Sequence, residues 1–141
     1  MLDKVADSLK DKEFVFSAAA IGAPTVTCEK IANGNECVHV IRDLSRLINQ
    51  PVAAITPLEI GGLNSVEPMM AAALMNVPLL DADAMGRAFP EVQMTSFLID
   101  GLPPTPSGMC DDKGNSVLFT KVVNSKWIET FMRTNCIAMG A

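Results

Sequence analysis

Short apolar runs alternate with helical patterns along the first part of the chain, and this alternation constrains the fold more than any other feature. Residues 14–20, 52–56 and 77–81 are apolar runs with the length of buried strands. Helical patterns lie at residues 36–49 and 64–76. Strands that alternate with helices form parallel sheets joined by right-handed crossovers. We therefore predict an α/β domain with an open, mainly parallel β-sheet flanked by helices.

The segment 36–49 has the clearest helical pattern. Its apolar residues recur with a period of 3.6 residues, and Pro51 ends the pattern because the residue before a proline avoids helical geometry. The opposite face of this helix is polar and carries His39, Arg42, Asp43 and Arg46. We interpret His39 as a surface residue exposed to solvent.

The next helix begins near residues 64–68. Asn64 and Glu67 have the spacing of a capping box, and Pro68 would alternatively be the first helical residue. The segment 69–75 is apolar on all sides, which indicates packing on several sides, either by this domain itself or by a partner, which would be a second copy or a missing domain. Its methionines, predicted to be core residues, are Met69, Met70 and Met75.

The C-terminal part is predicted to be richer in strands. A turn is expected at residues 111–115, a loop at 101–108 and a short last helix at 126–134. The predicted extended segments are residues 93–99, 116–123 and 136–139.

The composition excludes a disordered chain and argues against two kinds of partner. Hydrophobic residues make up 49% of the 141 residues and charged residues 19%, which is typical of a folded domain. The formal net charge of −5 would repel nucleic acid and anionic membranes, so we expect neither as a partner.

The longest apolar run, residues 68–80, is too short to span a bilayer. Residues 1–12 are charged, unlike a signal peptide, so the cytoplasm is the expected location.

The spacing of the four cysteines does not fit a structural metal site. Cys28, Cys37, Cys110 and Cys136 form no C-x-x-C pair, and His39 is the only histidine of the sequence. Structural zinc sites use closely paired ligands, so we expect none here. We predict instead that the thiols are reduced and buried.

The three predicted strands place the loops that follow them at one edge of the sheet. These loops are residues 22–25, 56–62 and 81–87. Ligands of open parallel sheets bind outside the carboxyl ends of the strands. The least core-like residues of the chain therefore fall where a binding site is expected.

Asp81 and Asp83 are the first candidates in the third loop. They are two residues apart, so in extended backbone both carboxylates project to the same side. The pair could bind a cation through oxygen, or one carboxylate could act as an acid and the other as a base. Alternatively, they cap a turn and pair with Arg87, whose guanidinium could also bind a substrate carboxylate.

Glu59, Gly61 and Gly62 form a second group of candidates, just before a helix that begins near Asn64. Glycines let the backbone approach a ligand closely, and a helix N-terminus attracts anionic or carbonyl groups. The alternative is an ordinary tight turn from strand to helix. In the first loop, Thr25 could likewise bond to a ligand or only to a backbone group.

Residues 22–30, 57–65 and 81–94 occur in an order and spacing that resemble the S-methyl thiohydantoin desulfurase-like family. Members of this family often occur beside, or fused to, hydantoinase and oxoprolinase domains. The resemblance implies that residues 1–141 are a single, partial α/β domain, which corresponds to the central part of the family's N-terminal domain. Ala84 stands where the family usually has glycine, and a positive φ there would strain an alanine.

The resemblance implies a hydrolase that removes sulfur from a thiohydantoin ring as a thiol or sulfide. In this interpretation Asp83 is the base or a metal ligand, Asp81 is its partner, and Glu59 is a second acid or base. Arg87 would bind a carboxylate of the small cyclic amide or thioamide. The other residues expected to line the site are Gly61, Gly62, Asn64 and Thr25. Participation of a divalent metal, held by Asp81 and Asp83, stays open.

A second function is also compatible with the sequence. The chain could be a non-catalytic module for ligand binding or assembly, as a fragment or remnant of a larger hydantoinase- or oxoprolinase-associated protein. The apolar segment 69–75 favours this alternative, because it would present apolar surface to a partner.

Overall fold

A computed structural model describes residues 3–140 and shows a mixed α/β fold, as predicted. The elements in chain order are α1 (Asp3–Ser8), β1 (Phe14–Ala18), α2 (Pro24–Glu29), α3 (Glu36–Ile48), β2 (Val52–Pro57), α4 (Gly62–Met75), α5 (Ser96–Ile99), β3 (Ser107–Cys110), β4 (Ser116–Phe119) and α6 (Ser125–Ala138). Within these described residues, no helix combines the length and the apolar character needed to cross a membrane.

β1 and β2 form a parallel two-stranded sheet, which confirms the predicted strand direction. The third predicted strand, residues 77–81, contributes one parallel bridge between Leu79 and Ile55. Around this bridge the amide of Ile55 donates to the carbonyl of Pro78 at 3.0 Å, and the amide of Leu80 donates to the carbonyl of Ile55 at 2.8 Å. Pro78 has no amide proton, so the ladder cannot continue through it as in an ordinary strand.

The main core lies between the parallel sheet and helices α3 and α4. Ile55 is fully buried there, together with Ile41 of α3 and Ala71 of α4. The helical period places Val38 and Ile41 on the buried face of α3 and His39 on its exposed face. The predicted exposure of His39 is therefore confirmed.

The beginning of α4 differs from both predictions. The helix begins at Gly62, after the N-cap residue Gly61, and Pro68 lies inside the helix rather than at its first position. Asn64 does not cap the helix, so the predicted capping box is wrong. Its side chain is used in a long-range contact with the backbone of Ala20 instead.

The methionines of α4 are only partly in the core. Met75 packs against the main core, whereas Met69 and Met70 are 51% and 37% exposed. The prediction of a core position is therefore wrong for Met69 and Met70. The residues of α4 that are buried share the spacing of one helix face and are Pro68, Ala71 and Ala72.

The hairpin β3–β4 opens the C-terminal part of the fold. Its strands are antiparallel and flank the predicted turn at residues 111–115, but β3 includes residues that were expected to belong to a loop. The extended segment predicted at residues 93–99 is wrong, because its second half is the short helix α5. The hydroxyl of Thr95 accepts a hydrogen bond from the amide of Leu98 at 3.4 Å and caps this helix.

The strand predicted at residues 136–139 is also wrong, because α6 extends to Ala138. The buried residues of α6 are four apart, which is the spacing of one helix face, and they are Ile128, Met132 and Cys136. They form a second core cluster with Met109 of β3. The C-terminal part thus consists of a hairpin covered by a helix.

Candidate functional site

The loops that follow the strands meet at the carboxyl edge of the parallel sheet. The amide of Leu58 donates to the carbonyl of Ala18 at 2.9 Å, and the amide of Ala84 donates to the carbonyl of Leu58 at 3.0 Å. The buried hydroxyl of Thr56 donates to the carbonyl of Ala82 at 2.7 Å. The second and third loops are therefore bonded to each other directly.

Glu59 and Asn64 join the second loop to the segment that follows β1 and to the residues just beyond the third loop. The side-chain oxygen of Asn64 accepts from the amide of Ala20 at 2.7 Å, and its amide nitrogen donates to Glu59 Oε1. Glu59 Oε2 accepts from the amide of Phe89 at 3.3 Å, two residues beyond the third loop. Both carboxylate oxygens of the half-buried Glu59 thus hold polypeptide in place, and we call these two residues the loop clasp.

Asp83 shapes the third loop. Its Oδ2 atom accepts hydrogen bonds from the amides of Met85, at 3.3 Å, and Gly86, at 2.5 Å. Gly86 has a φ of +72°, which a glycine adopts without strain. Asp83 Oδ1 has no hydrogen-bond partner among the described residues, and the neighbouring Asp81 is exposed. One oxygen of Asp83 therefore remains available to a ligand.

Arg87 does not form the ion pair considered for it with the two aspartates. Within residues 3–140, no salt bridge involves its side chain. The guanidinium lies over the ring of Phe89, at 5.6 Å from the ring centroid. This exposed cation keeps its hydrogen-bond donors available for a ligand carboxylate.

An apolar cleft of about 520 Å³ is formed by the third loop, the segment that follows it and α5. Its lining residues are Ala84, Met85, Phe89, Gln93, Met94, Ser96 and Ile99. Gln93 Oε1 is buried without a hydrogen-bond partner among the described residues, so the wall of the cleft contains one unsatisfied acceptor. An apolar pocket with a few polar groups is the usual form of a small-molecule site.

Ala84 occupies the cleft wall without backbone strain. It is buried, and it is not among the described residues with a positive φ. Its amide and carbonyl bond to Leu58, at 3.0 Å, and Ser96, at 2.8 Å. The methyl group therefore contributes apolar surface to the cleft.

The three remaining candidates, Gly61, Gly62 and Thr25, form no hydrogen bond with Asp83 or Arg87 among the described residues. Gly61 has an extended backbone, and its amide donates to the hydroxyl of Ser65 at 3.2 Å, so this N–H is not free for an oxyanion. Gly62 is the first residue of α4 and is exposed. Thr25 lies exposed in α2, where no hydrogen bond among the described residues joins it to the other candidates.

The residues present do not fit a complete metal site. No group of three or more His, Cys, Asp or Glu side chains within the described part of the chain is arranged to hold a metal ion. Asp81 and Asp83 would supply two carboxylates, and one oxygen of Asp83 already bonds to backbone amides. We therefore derive no step that uses a metal.

Sequence reasoning missed three positions of this site. Thr56 gave a signal, because it is a polar residue at the end of an apolar strand. Gln93 gave none, because it lies in a segment predicted to be extended. The contact of Phe89 uses its backbone amide, so its side-chain type contains no information about it.

The cysteines form no disulfide within the described residues. Cys136 is buried, but Cys28 is exposed, so the prediction of burial is wrong for Cys28. Burial raises the pKa of the Cys37 thiol to about 12, and the carboxylate of Glu67, 3.9 Å from Cys37 Sγ, adds to this effect. Burial also raises the pKa of Cys110.

We expect the Cys37 thiol to resist alkylation at about pH 8. At about pH 8, a thiol with a pKa of about 12 is ionised to about one part in ten thousand, and only the thiolate reacts. Iodoacetamide labelling followed by peptide mass spectrometry should modify Cys28 first and Cys37 at least about 100 times more slowly. The Cys37 rate should rise with pH and in Glu67→Gln, and equal rates for the two thiols would contradict this assignment.

Comparison with known families decides where the chain belongs. A family model described as S-Me-THD-like, N-terminal domain, matches residues 4–121. The chain belongs to the S-Me-THD-like family. The match includes all three segments that carried the sequence resemblance and confirms it. The S-Me-THD-like region also contains the loop clasp and Asp83.

Solved structures support the fold of this S-Me-THD-like domain. A crystal structure of a protein from Chromobacterium violaceum has a TM-score of 0.76 and 25% sequence identity, and the similarity covers 86% of this chain. The chain spans 34% of the length of that protein. No curated protein matches the chain.

Proposed function

We propose that this S-Me-THD-like domain hydrolyses a thiohydantoin- or hydantoin-like cyclic amide and releases sulfur as a thiol or sulfide. The observation that carries the proposal is the apolar cleft whose lining begins at Ala84, the residue after Asp83, in the longest segment of family resemblance. The volume of about 520 Å³ accommodates a small heterocycle. Arg87 adjoins the cleft through Phe89, which lines it.

The chemistry assigns different roles to the carboxylates. Hydrolysis of an S-methyl thiohydantoin adds water to the ring carbon that carries sulfur, breaks the carbon–sulfur bond and yields a hydantoin and methanethiol. Asp83 Oδ1 would take a proton from water and return it to the departing thiolate. Asp81 would act as the second carboxylate, and Arg87 would bind a carboxylate of the substrate. Glu59 and Asn64 would position the loops, since their polar atoms are already bonded to other groups of the chain.

The test is release of thiol or sulfide from a panel of thiohydantoins by the full chain, with and without added divalent metal. We expect release above background, and a loss of about 100-fold or more in Asp83→Asn. The matched control is Asp7→Asn, which changes an exposed aspartate of α1. A folded Asp83→Asn variant with full activity would contradict the role of Asp83, and no release by the folded parent would contradict the hydrolase.

The alternative is a non-catalytic ligand-binding or assembly module. One observation favours it: α4 exposes an apolar stripe at helical spacing, formed by Leu63, Val66, Met70 and Leu74. Such a surface suits a second copy or a further domain of a longer protein. Under this alternative, cyclic amides would bind without turnover, and light scattering would show a stable assembly that Val66→Glu disrupts.

A further inference from the structure

A second cleft, of about 320 Å³, lies between the polar face of α3 and the hairpin β3–β4. Its lining residues are His39, Arg42, Asp43, Arg46, Gly114 and Ser116. None of them lines the apolar cleft, so the two sites share no residue. The proposed hydrolysis uses none of these side chains.

Close packing of α3 on the hairpin fixes the two walls of this cleft. A Cβ atom at Gly108 would lie 2.7 Å from Val40 Cγ2 and 2.8 Å from Leu118 Cδ2, so only glycine permits this approach. Val40 follows the cleft residue His39 on α3, and Gly108 pairs with Leu118 in the hairpin that contains the cleft residue Ser116. The lining side chains are therefore presented by regular, well-packed elements.

The charge of the cleft is opposite to that of the chain. Two guanidinium groups face one carboxylate, whereas the whole chain has a formal net charge of −5. Asp43 pairs with Arg46 at 3.2 Å. The side chains of Arg42, His39 and Ser116 have no hydrogen-bond partner among the described residues. Three donors thus border the cleft, of which the Arg42 guanidinium is permanently charged.

We infer that this cleft binds a phosphate group, either free or carried by a small phosphate ester. The planar guanidinium of Arg42 can donate two parallel hydrogen bonds to phosphate oxygens. Ser116 and His39 would add one donor each from opposite walls, whereas the charge of Arg46 is offset by its ion pair with Asp43. A volume of about 320 Å³ holds a phosphate group with a small substituent.

The test is an NMR titration of the isotopically labelled chain with inorganic phosphate, against sodium chloride at equal ionic strength. We expect saturable shifts of the amide signals of residues 39–46 and 114–116, which chloride does not produce. Arg42→Ala should weaken phosphate binding about tenfold or more. Lys121→Ala, which removes an exposed cation outside the cleft, should leave it unchanged.

A parallel titration with glycerol 3-phosphate distinguishes the two sources of the phosphate. Tighter binding than that of inorganic phosphate would assign the cleft to an ester, and equal binding would assign it to free phosphate. Asp83→Asn should bind phosphate as the parent does, so this test is independent of the hydrolase proposal. Shifts identical in chloride, or an Arg42→Ala variant that binds as the parent does, would overturn the inference.

Discussion

Replacement of Ile55 with alanine is expected to lower the free energy of unfolding by about 2–5 kcal/mol. Ile55 is 0% exposed and lies at the centre of the main core, between β1, the bridge at Leu79 and the helices α3 and α4. The substitution removes three carbon atoms from a site whose walls are regular elements, which cannot collapse fully into the cavity. The expected loss of unfolding free energy therefore has two parts: the lost transfer of three carbon atoms from water to the core, and the cost of the cavity that they leave.

Urea unfolding followed by circular dichroism measures this change. Ile55→Val should cost about 0.5–1.5 kcal/mol and keeps the prediction testable where the alanine variant fails to fold. The matched control is Ile31→Ala, which removes the same atoms from a side chain that is 92% exposed, and it should change stability by less than about 0.5 kcal/mol. Equal costs at the two positions would show that Ile55 is not the centre of the core.

The elements of the first half could be predicted because their signals are local. The apolar period of α3 and the proline that follows it defined a helix close to Glu36–Ile48, and a short apolar run defined β2. The parallel direction followed from the alternation of strands and helices. Residues 77–81 have the composition of a strand, but Pro78 limits their pairing to one bridge.

The errors in the second half arise where local signals are ambiguous. A short apolar run does not distinguish a strand from a helix segment, and this explains both residues 93–99 and residues 136–139. Within residues 93–99, the hydrogen bond of the Thr95 cap stabilises a helix. Residues 136–139 continue α6, because Cys136 has the four-residue spacing of the buried face that begins at Ile128.

The candidate site was partly predictable for a similar reason. The topology of parallel strands requires the loops to share an edge, and the structure shows the second and third loops bonded to each other there. The partners of Asn64 could not be predicted, because one of them, Ala20, is 44 residues away and is contacted through its backbone. The spacing of Asn64 and Glu67 predicted that Asn64 caps the helix, but its side chain bonds to the backbone of Ala20 instead.

The loop clasp leads to the second large expected effect, which rests on the proposed hydrolysis. Asn64→Ala removes the acceptor for the amide of Ala20 and the donor to Glu59, so the segment after β1 and the second loop lose a common anchor. We expect kcat to fall about 100-fold, because small displacements of catalytic groups have effects of this size. The free energy of unfolding should fall by only about 1–2 kcal/mol.

Asn33→Ala is the matched control for this variant. Asn33 also makes a long-range hydrogen bond, from its side-chain nitrogen to the carbonyl of Asp112 at 2.9 Å, but it lies outside the clasp. Its replacement should reduce stability to a similar degree and leave kcat unchanged. An equal loss of kcat in both variants would show that general destabilisation, rather than the clasp, controls turnover.

Glu59→Gln separates positioning from acid–base catalysis at the same residue. The carboxamide keeps one acceptor but places an NH₂ group against either Asn64 or the amide of Phe89, so one link of the clasp is lost. If Glu59 positions the third loop, kcat should fall while the pH profile of kcat/KM keeps its shape. If Glu59 donates or accepts the proton, one limb of the profile should disappear. Since both oxygens of Glu59 are already engaged, we expect the unchanged profile, and loss of a limb would return Glu59 to the catalytic role that the resemblance implies.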